Sequence, residues 1–454
     1  MASLHQVFVR IEEVKMRFGL AGAIGFFFLV LAGPASAKLQ TLYSFCALDH
    51  CKDGAQPGAL LRDAAGNLFG TAGRGPHYGN GVVFELLRGK RYRIIHTFCA
   101  RGDCSDGAMP AGNLIIDTAG NLYGVTQTGG AQNAGTVFKL SPPQSGKKWG
   151  ISTLYNFCSQ GGCADGSNPS SGLTYAGATS GAPYDGNSPL YATTAAGGTG
   201  AGHGGTAYGL VPGGNGWTES VLYSFCSQGG SGCSDGNDPS GGLYIDANGN
   251  LFGTTASGGN SFNGGTIFEL TANGDSWAEL VLYAFCQSAQ CQDGKAPNGP
   301  LIEPFPNILY GITQAGGLPC TNVNLNGQTC GNIFELNLNG PITESPVHDF
   351  CKTKDCADGA IPSSLILDAS GVLYGTTLYG GGLDTDPLGK GGGTVFRFAG
   401  GNLSVMHNFC TQPNCGDGAY PTSLILGGSD EFFGSTLAGG AFGGGVVFHL
   451  HRSR

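Results

Sequence analysis

The sequence predicts an all-β protein, a seven-bladed β-propeller whose blades are four-stranded antiparallel sheets. Three observations predict it. One turn motif occurs seven times, each copy is followed by the same series of strand-like segments, and the unmatched segments at the two chain ends add up to one complete blade. A repeat of this length made of short strands is typical of propeller blades.

The composition agrees with many short strands joined by tight turns. The 454 residues include 83 glycines, only 12% are charged, and 10% are aromatic. Beyond residue 38 we find no apolar stripe with the 3.6-residue spacing of a helix. The sequence therefore favours strands and turns over helices.

The N-terminal segment differs from the rest of the chain and is predicted to be a secretory signal, residues 1–37. Lys15 and Arg17 precede an apolar run at 18–31, which ends in small residues before Lys38. A transmembrane anchor is the alternative, and Met16 is an alternative start. The absence of a cysteine at the cleavage point argues against a lipoprotein. The propeller is expected to occupy residues 38–454.

The turn motif consists of Phe-Cys, four residues, Cys, any residue, Asp-Gly, two residues and Pro. Only the fourth copy is longer between its cysteines. The copies begin at Phe45, Phe98, Phe157, Phe225, Phe285, Phe350 and Phe409.

Each copy introduces four predicted strands, marked by alternation of large apolar with small or polar residues. The first follows the motif proline, as at 114–117, and a short glycine-containing turn leads into a Leu-aromatic-Gly strand, as at 122–124. A glycine-rich loop precedes the third strand, as at 135–140. The fourth, as at 221–225, ends in the next Phe-Cys.

The chain ends predict how the ring closes. The seventh repeat stops at Leu450 without a fourth strand, and the mature chain begins with an extra strand at 39–45. Pairing of the two would complete the seventh blade and cover both free sheet edges. An open solenoid would instead need atypical capping repeats.

Sixteen cysteines in an exported chain predict eight disulfides. Zinc ligation is the alternative, which the spacing and an oxidising compartment disfavour. Seven pairs lie within the turn motifs and the eighth within one loop: Cys46 with Cys51, Cys99 with Cys104, Cys158 with Cys163, Cys226 with Cys233, Cys286 with Cys291, Cys351 with Cys356, Cys410 with Cys415, and Cys320 with Cys330.

The charge balance limits the partners. The formal net charge is −9, which argues against nucleic acid and anionic membranes. No segment after the signal is long and apolar enough to span a bilayer. We expect a monomer without a cofactor or a metal.

The series Leu-Tyr-Gly-Thr-Thr (373–377), Gly-Gly, Gly-Thr-Val-Phe and Asp-Gly-x-x-Pro resembles the GloVer tandem repeat of exported bacterial proteins, over nearly all of the mature chain. This resemblance implies a location that is extracellular, periplasmic or in the cell envelope, since members often carry varied C-terminal sorting signals. The present sequence ends directly after its last strand and departs from that pattern. The resemblance implies no catalytic residues.

Candidate binding residues are predicted on one face of the propeller. The blade-to-blade connections and the loops between second and third strands emerge on the same face, and these loops hold most of the irregular sequence. One of them is the cysteine-stapled loop at 318–330. We expect ligand contacts at His77, His203, Asp384, Asp386 and Lys390.

Two repeated features are interpreted as structural. The aspartates of the Asp-Gly turns suit turn hydrogen bonding better than calcium, because each motif offers one reliable carboxylate. The aromatic residues of the Leu-aromatic-Gly strands are expected to pack between blades instead of forming a sugar platform. The aspartates are Asp53, Asp106, Asp165, Asp235, Asp293, Asp358 and Asp417.

These features favour an extracellular module that binds a glycan or a protein. A polysaccharide hydrolase or lyase at the propeller funnel is the first alternative, with Asp384 paired to Asp386 or Glu303 as its carboxyls. A purely structural surface protein is the second. His77, His203 and His348 are interpreted as solvated loop residues, and no catalytic signature stands out, so an enzyme is disfavoured.

Overall fold

The chain forms seven radially arranged sheets. The computed structural model describes residues 37–75, 80–88, 91–100, 102–144, 146, 148–214, 216–228, 232–317, 330–382 and 389–452. Within these ranges there are seven four-stranded antiparallel sheets and short 3-10 turns, with no α-helix. The predicted seven-bladed propeller is confirmed; the predicted signal segment lies outside the described residues, apart from Ala37.

The first three blades follow the chain in order. Blade 1 contains β2 (Ala55–Arg62), β3 (Leu68–Arg74), β4 (Val82–Leu87) and β5 (Arg91–Thr97). Blade 2 contains β6 (Ala108–Ile116), β7 (Leu122–Thr128), β8 (Thr136–Ser141) and β9 (Gly150–Asn156). Blade 3 contains β10 (Ser167–Pro169), β11 (Leu190–Ala196), β12 (Thr206–Gly213) and β13 (Gly216–Ser224).

The next three blades repeat this order. Blade 4 contains β14 (Tyr244–Ile245), β15 (Leu251–Thr255), β16 (Thr266–Asn273) and β17 (Ser276–Ala284). Blade 5 contains β18 (Lys295–Phe305), β19 (Ile308–Ala315), β20 (Asn332–Asn337) and β21 (Thr343–Asp349). Blade 6 contains β22 (Ala360–Leu367), β23 (Leu373–Tyr379), β24 (Thr394–Ala399) and β25 (Asn402–Asn408).

Blade 7 joins the two ends of the chain, as predicted. It contains β26 (Ala419–Gly428), β27 (Glu431–Ala438), β28 (Val446–Arg452) and, as its outer strand, β1 (Ala37–Ser44). The N-terminal strand runs antiparallel to β28, with Leu39 opposite Leu450. The ring is therefore closed by main-chain pairing between residues at opposite ends of the sequence.

The core lies between adjacent blades. The phenylalanine that opens each turn motif packs against an aromatic residue in the third strand of the next blade, as Phe225 does against Phe268 at a centroid distance of 4.8 Å. Both side chains are fully buried. Since the same pair recurs around the ring, each blade depends on its neighbour for its buried surface.

A proline and a glycine fix the junction between each pair of adjacent blades. A side chain on Gly265, whose φ is +90°, would place its Cβ 2.7 Å from Cδ of Pro297 in the next blade. The Ala296 N–H donates a 2.8 Å hydrogen bond to the Gly264 carbonyl. Only glycine fits both the backbone angle and this close approach.

Candidate functional site

The two ends of the propeller carry different connections. One end, which we call the disulfide face, carries the disulfide turns and the loops between second and third strands. The other end, the turn face, carries the turns between first and second strands and those between third and fourth strands. The Ala201 N–H, in a second-to-third loop, donates to the carbonyl of Cys226 in a disulfide turn. This contact agrees with the prediction that the two kinds of connection share a face.

The disulfides of the turn motifs are present as predicted. The seven motif pairs are bonded in the described part of the chain. The sulfur atoms of Cys330, Cys351 and Cys356 lie within 4.8 Å of one another, but all three cysteines are disulfide-bonded and have no thiolate to offer a metal. Cys320, the predicted partner of Cys330, lies outside the described residues.

The turn aspartates are used inside the fold. Asp165 is fully buried and accepts hydrogen bonds from the Tyr155 hydroxyl at 2.8 Å, the Ser159 N–H at 2.8 Å and the Gln160 N–H at 3.2 Å. Burial alone raises the pKa of this carboxyl, but these donors outweigh it and lower the pKa below the usual value. The geometry agrees with the structural interpretation of the motif.

Histidine replaces the tyrosine donor at three junctions. Nε2 of His96 lies 2.7 Å from Asp106, and His348 and His407 lie 3.3 and 3.6 Å from Asp358 and Asp417. Burial by itself raises the pKa of each of these carboxyls, but the contacts with the histidines help to lower the pKa of all three below the usual value. His348 was expected in a solvated loop, but it lies in β21 at a blade junction; the strand pattern there was obscured by Pro346.

Glutamates add a second carboxyl at three consecutive junctions. Glu219 Oε2 lies 3.4 Å from the Tyr155 hydroxyl that also contacts Asp165. Burial and, second, the charge of Asp165 raise the pKa of Glu219 to about 7. Burial and the charge of the nearby turn aspartate raise the pKa of Glu279 to about 7 and that of Glu344 to about 8. The repetition of this cluster indicates a junction feature and not a unique catalytic pair.

Two of the predicted binding residues lie in the described loops. His203, with φ of +50°, has Nδ1 3.1 Å from the carbonyl of Gly198 in its own loop. The ammonium of Lys390 lies 5.1 Å from the ring centroid of Tyr379. These residues belong to blades 3 and 6, so blades 4 and 5 separate them. His77, Asp384 and Asp386 lie outside the described residues.

Lys390 is part of an aromatic cluster that the sequence analysis did not identify. The rings of Tyr379 and Tyr420 meet edge to face at a centroid distance of 5.4 Å, and both are half-buried. Tyr420 directly precedes a motif proline and has φ of +61°. An aromatic residue at this position is the sequence signal that could have identified Tyr420. The other six repeats have non-aromatic residues before the motif proline: Gln56, Met109, Asn168, Asp238, Ala296 and Ile361.

A cavity of about 1200 Å³ occupies the axis of the ring toward the turn face. The first strands of six blades line it, and blade 3 contributes the segment after β10, residues 170–175, and an insertion at residues 176–188. This insertion was not predicted from the sequence. Its signal is the interval between the motif proline and the next strand, which runs from Pro169 to Leu190 but only from Pro239 to Leu251 in the following repeat.

Glu303 contacts no other carboxyl among the described residues, which do not include Asp384. It accepts hydrogen bonds from the Tyr244 hydroxyl and from the Asn307 N–H, and thereby holds the first turn of blade 5. Among the residues with described positions, no helix has the length and apolarity needed to cross a bilayer.

A family model described as the Gloeobacter/Verrucomicrobia repeat matches residues 18–188 and 176–385. No curated protein matches the sequence. A protein of unknown function from Dyadobacter fermentans is 11% identical, with coverage of 91% of this chain and 99% of that chain and a TM-score of 0.42.

Two further solved structures are similar to this chain. The Dos1 propeller is 11% identical, covers 87% of this chain and 78% of its own, and has a TM-score of 0.46. The polysaccharide lyase Uly1 is 10% identical, the match covers 88% of this chain and 90% of that chain, and the TM-score is also 0.46. We draw nothing about activity from likenesses this distant.

Proposed function

The chain belongs to the Gloeobacter/Verrucomicrobia repeat family, and from that premise we propose that it is an extracellular recognition module. In this proposal the propeller is a rigid scaffold, and loops on its disulfide face contact a glycan or a protein. The family assignment also agrees with the resemblance to the GloVer repeat in the sequence.

The proposed location rests on the cysteines and the N-terminal segment. Seven short-range disulfides are typical of an oxidising environment outside the cytoplasm. We propose that residues 1–37 direct export and that the mature protein begins at Lys38. A mature N-terminus at that position, found by mass spectrometry of the exported protein, would support it.

The cluster of Tyr379, Tyr420 and Lys390 is the observation that carries the binding proposal. Two half-buried tyrosines combine an apolar ring face with a polar hydroxyl, and the nearby lysine supplies positive charge on an otherwise acidic protein. This combination suits sugar rings and protein surfaces alike. It occurs in one blade junction, so it distinguishes one part of the ring from the others.

The experiment compares Tyr420→Ala with Met109→Ala on arrays of glycans and of secreted proteins. Both substitutions place alanine at the same repeat position with a positive φ, so backbone strain is matched. We expect Tyr420→Ala to weaken ligand binding by about tenfold, roughly 1.4 kcal/mol, and Met109→Ala to leave it unchanged. Equal effects of the two variants would contradict the proposal.

Catalysis is tested in parallel. The ligand found on the array is incubated with the protein, and the release of new reducing ends is measured. A recognition module releases none. Release above the level of a heat-inactivated sample would favour the hydrolase or lyase alternative.

A further inference from the structure

The axial cavity has the size and position of a binding site. At about 1200 Å³ it exceeds typical small-molecule pockets, which measure about 300–1,000 Å³. Every blade contributes residues to its wall, so the shape of the cavity depends on the whole ring. The cavity opens toward the turn face, opposite the loops of the disulfide face.

Two hydroxyl groups in the cavity wall have no hydrogen-bond partner among the described residues. They are Oγ of Ser170 and Oγ1 of Thr422, both inaccessible to solvent. Ser363, at the same repeat position, instead donates a 2.7 Å hydrogen bond to the Pro421 carbonyl. Buried polar atoms are normally paired, and since neither oxygen is accessible in its present rotamer, each hydroxyl must rotate toward the cavity to reach a ligand.

The rest of the wall offers apolar and aromatic surface. Leu61, Ile116, Ile366 and Ile425 line it together with Tyr244. The Tyr244 hydroxyl is held by Glu303, which fixes the side chain. A ligand must therefore present apolar faces as well as polar edges.

The charged residues of the wall are engaged within the fold. Arg62 donates a 3.0 Å hydrogen bond to the Gly427 carbonyl and lies over the ring of Phe433. Asp63 accepts from the Asn67 N–H at 2.7 Å, and Asp117 accepts from the Tyr123 hydroxyl at 3.0 Å. The wall thus carries one cationic and two anionic side chains, all held by bonds within the fold, and its other lining residues are uncharged, which suits an uncharged ligand.

The insertion of blade 3 makes the cavity asymmetric. The Tyr184 N–H donates to the Ile116 carbonyl at 2.9 Å, and the Thr118 N–H donates to the Tyr184 carbonyl at 3.2 Å, so the insertion is anchored to blade 2. Tyr184 is fully buried. Ala178, Thr179 and Pro183 then form one side of the cavity. A ligand would meet a different wall on this side and take up one orientation.

From these observations we infer that the axial cavity is a second binding site and that its ligand is a neutral oligosaccharide. Pyranose rings carry apolar C–H faces for the aliphatic and tyrosine side chains and hydroxyl edges for Ser170 and Thr422. The inference does not depend on the proposed function of the disulfide face, because Tyr379, Tyr420 and Lys390 do not line the cavity.

Calorimetry with neutral hexasaccharides tests the site: cellohexaose, maltohexaose, xylohexaose and laminarihexaose, with hexagalacturonic acid as the charged comparison. Gly242 lines the cavity, has no positive φ, and would place a Cβ no closer than 3.6 Å to Pro300. Gly242→Phe should therefore place a ring inside the cavity and obstruct part of it. Gly150→Phe is the matched control, since Gly150 is exposed at the start of β9 with no atom within 4 Å of its Cβ position.

We expect the native protein to bind at least one neutral hexasaccharide, and Gly242→Phe to weaken binding by about tenfold or more. Gly150→Phe and Tyr420→Ala should bind as the native protein does, which separates this site from the disulfide face. Thr422→Val keeps the side-chain shape and should weaken binding by about threefold or more. Thermal melts verify that each variant is folded.

The inference is overturned if no neutral hexasaccharide binds or if only hexagalacturonic acid does. It is also overturned if folded Gly242→Phe binds as tightly as the native protein. If Gly242→Phe does not fold, Thr422→Val tests the inference, and unchanged binding by Thr422→Val overturns the inference.

Discussion

At the residue scale, one position of the outer strand distinguishes three blades from the rest. Glu219, Glu279 and Glu344 each lie opposite the leucine of the third strand, whereas the other blades have uncharged residues at this register position. Those residues are Leu39, Tyr92, Ile151 and Leu403. The substitution to glutamate places a second carboxyl beside a turn aspartate.

The hydrogen bonds around Tyr155 favour the protonated form of Glu219. The Tyr155 hydroxyl has one hydrogen, and both Asp165 and Glu219 lie within hydrogen-bond distance of it. If Tyr155 donates to Asp165, a protonated Glu219 can donate to the tyrosine oxygen. An ionised Glu219 would instead face Asp165 without a donor from the tyrosine. Burial and the neighbouring aspartate charge raise the pKa of Glu219, and a hydrogen bond from Tyr155 opposes them only in part.

We predict that the protein is more stable at pH 5 than at pH 8. A raised glutamate pKa means that the folded state holds the proton more tightly, so this contribution is complete below the unfolded pKa of 4.5 and is lost as the pH rises through 7 to 8. Asp106, Asp358 and Asp417, whose pKa is lowered, stabilise the fold above their unfolded pKa. Their contribution is lost only in stronger acid. Thermal melting across this pH range checks the prediction.

The matched variant for this prediction is Glu219→Gln with Glu279→Gln and Glu344→Gln. Glutamine keeps the size and a donor group but cannot ionise. We expect it to flatten the pH dependence and to add about 1 kcal/mol per site at pH 8, a value reduced for partial solvent screening. An equally steep loss of stability in the variant would assign the pH dependence to other groups.

At the element scale, the Leu-aromatic-Gly strand is explained by packing within the blade. A Cβ on Gly253 in β15 would lie 2.5 Å from Cζ of Phe268 in β16 and 2.9 Å from Cδ2 of Leu243. The glycine thus leaves room for the phenylalanine of the next strand. Blade 3 combines Ala192 with Tyr208 at the corresponding positions.

We predict that Gly253→Ala destabilises the fold. The added methyl group must displace Phe268 or the strand, which typically costs about 1–3 kcal/mol. Gly150→Ala is the control, because no atom lies within 4 Å of its Cβ position, and it should change stability by less than about 0.5 kcal/mol. Chemical denaturation measures both. Equal stability of the two variants would show that the close contact relaxes without cost.

The sequence predicted the second and third strands well because their alternation and their glycines recur in every repeat. It predicted the first strands less well. In blades 3 and 4 these strands shorten to β10 and β14, next to Gly172, Gly241 and Gly242. A Cβ on Gly241 would lie 2.8 Å from the Gly299 carbonyl oxygen of the next blade. Such a contact depends on the spacing of blades around the axis, which no local pattern reveals.

The candidate sites were predictable only in part, for the same reason. Lys390 was identified from its irregular loop, but its proximity to Tyr379 and Tyr420 depends on the packing of blade 6 against blade 7. The axial cavity is built from residues of all the blades, so no single repeat contains its signal.

At the scale of the whole molecule, the closing junction uses the same contacts as the others. The Gln56 N–H donates to the Gly444 carbonyl at 2.9 Å, and a Cβ on Gly445 would lie 2.8 Å from Cδ of Pro57. These residues belong to the first and last blades. The junction between the chain ends is therefore held as the internal junctions are, with the added pairing of β1 to β28.

Hydrogen–deuterium exchange of β1 tests this closure most directly. The matched reference is β25, which holds the same outer position in blade 6. If β1 completes the seventh blade, its amides that bond to β28 should exchange as slowly as the corresponding amides of β25. Exchange of β1 at the rate of an unstructured peptide, with β25 still protected, would contradict the closed ring.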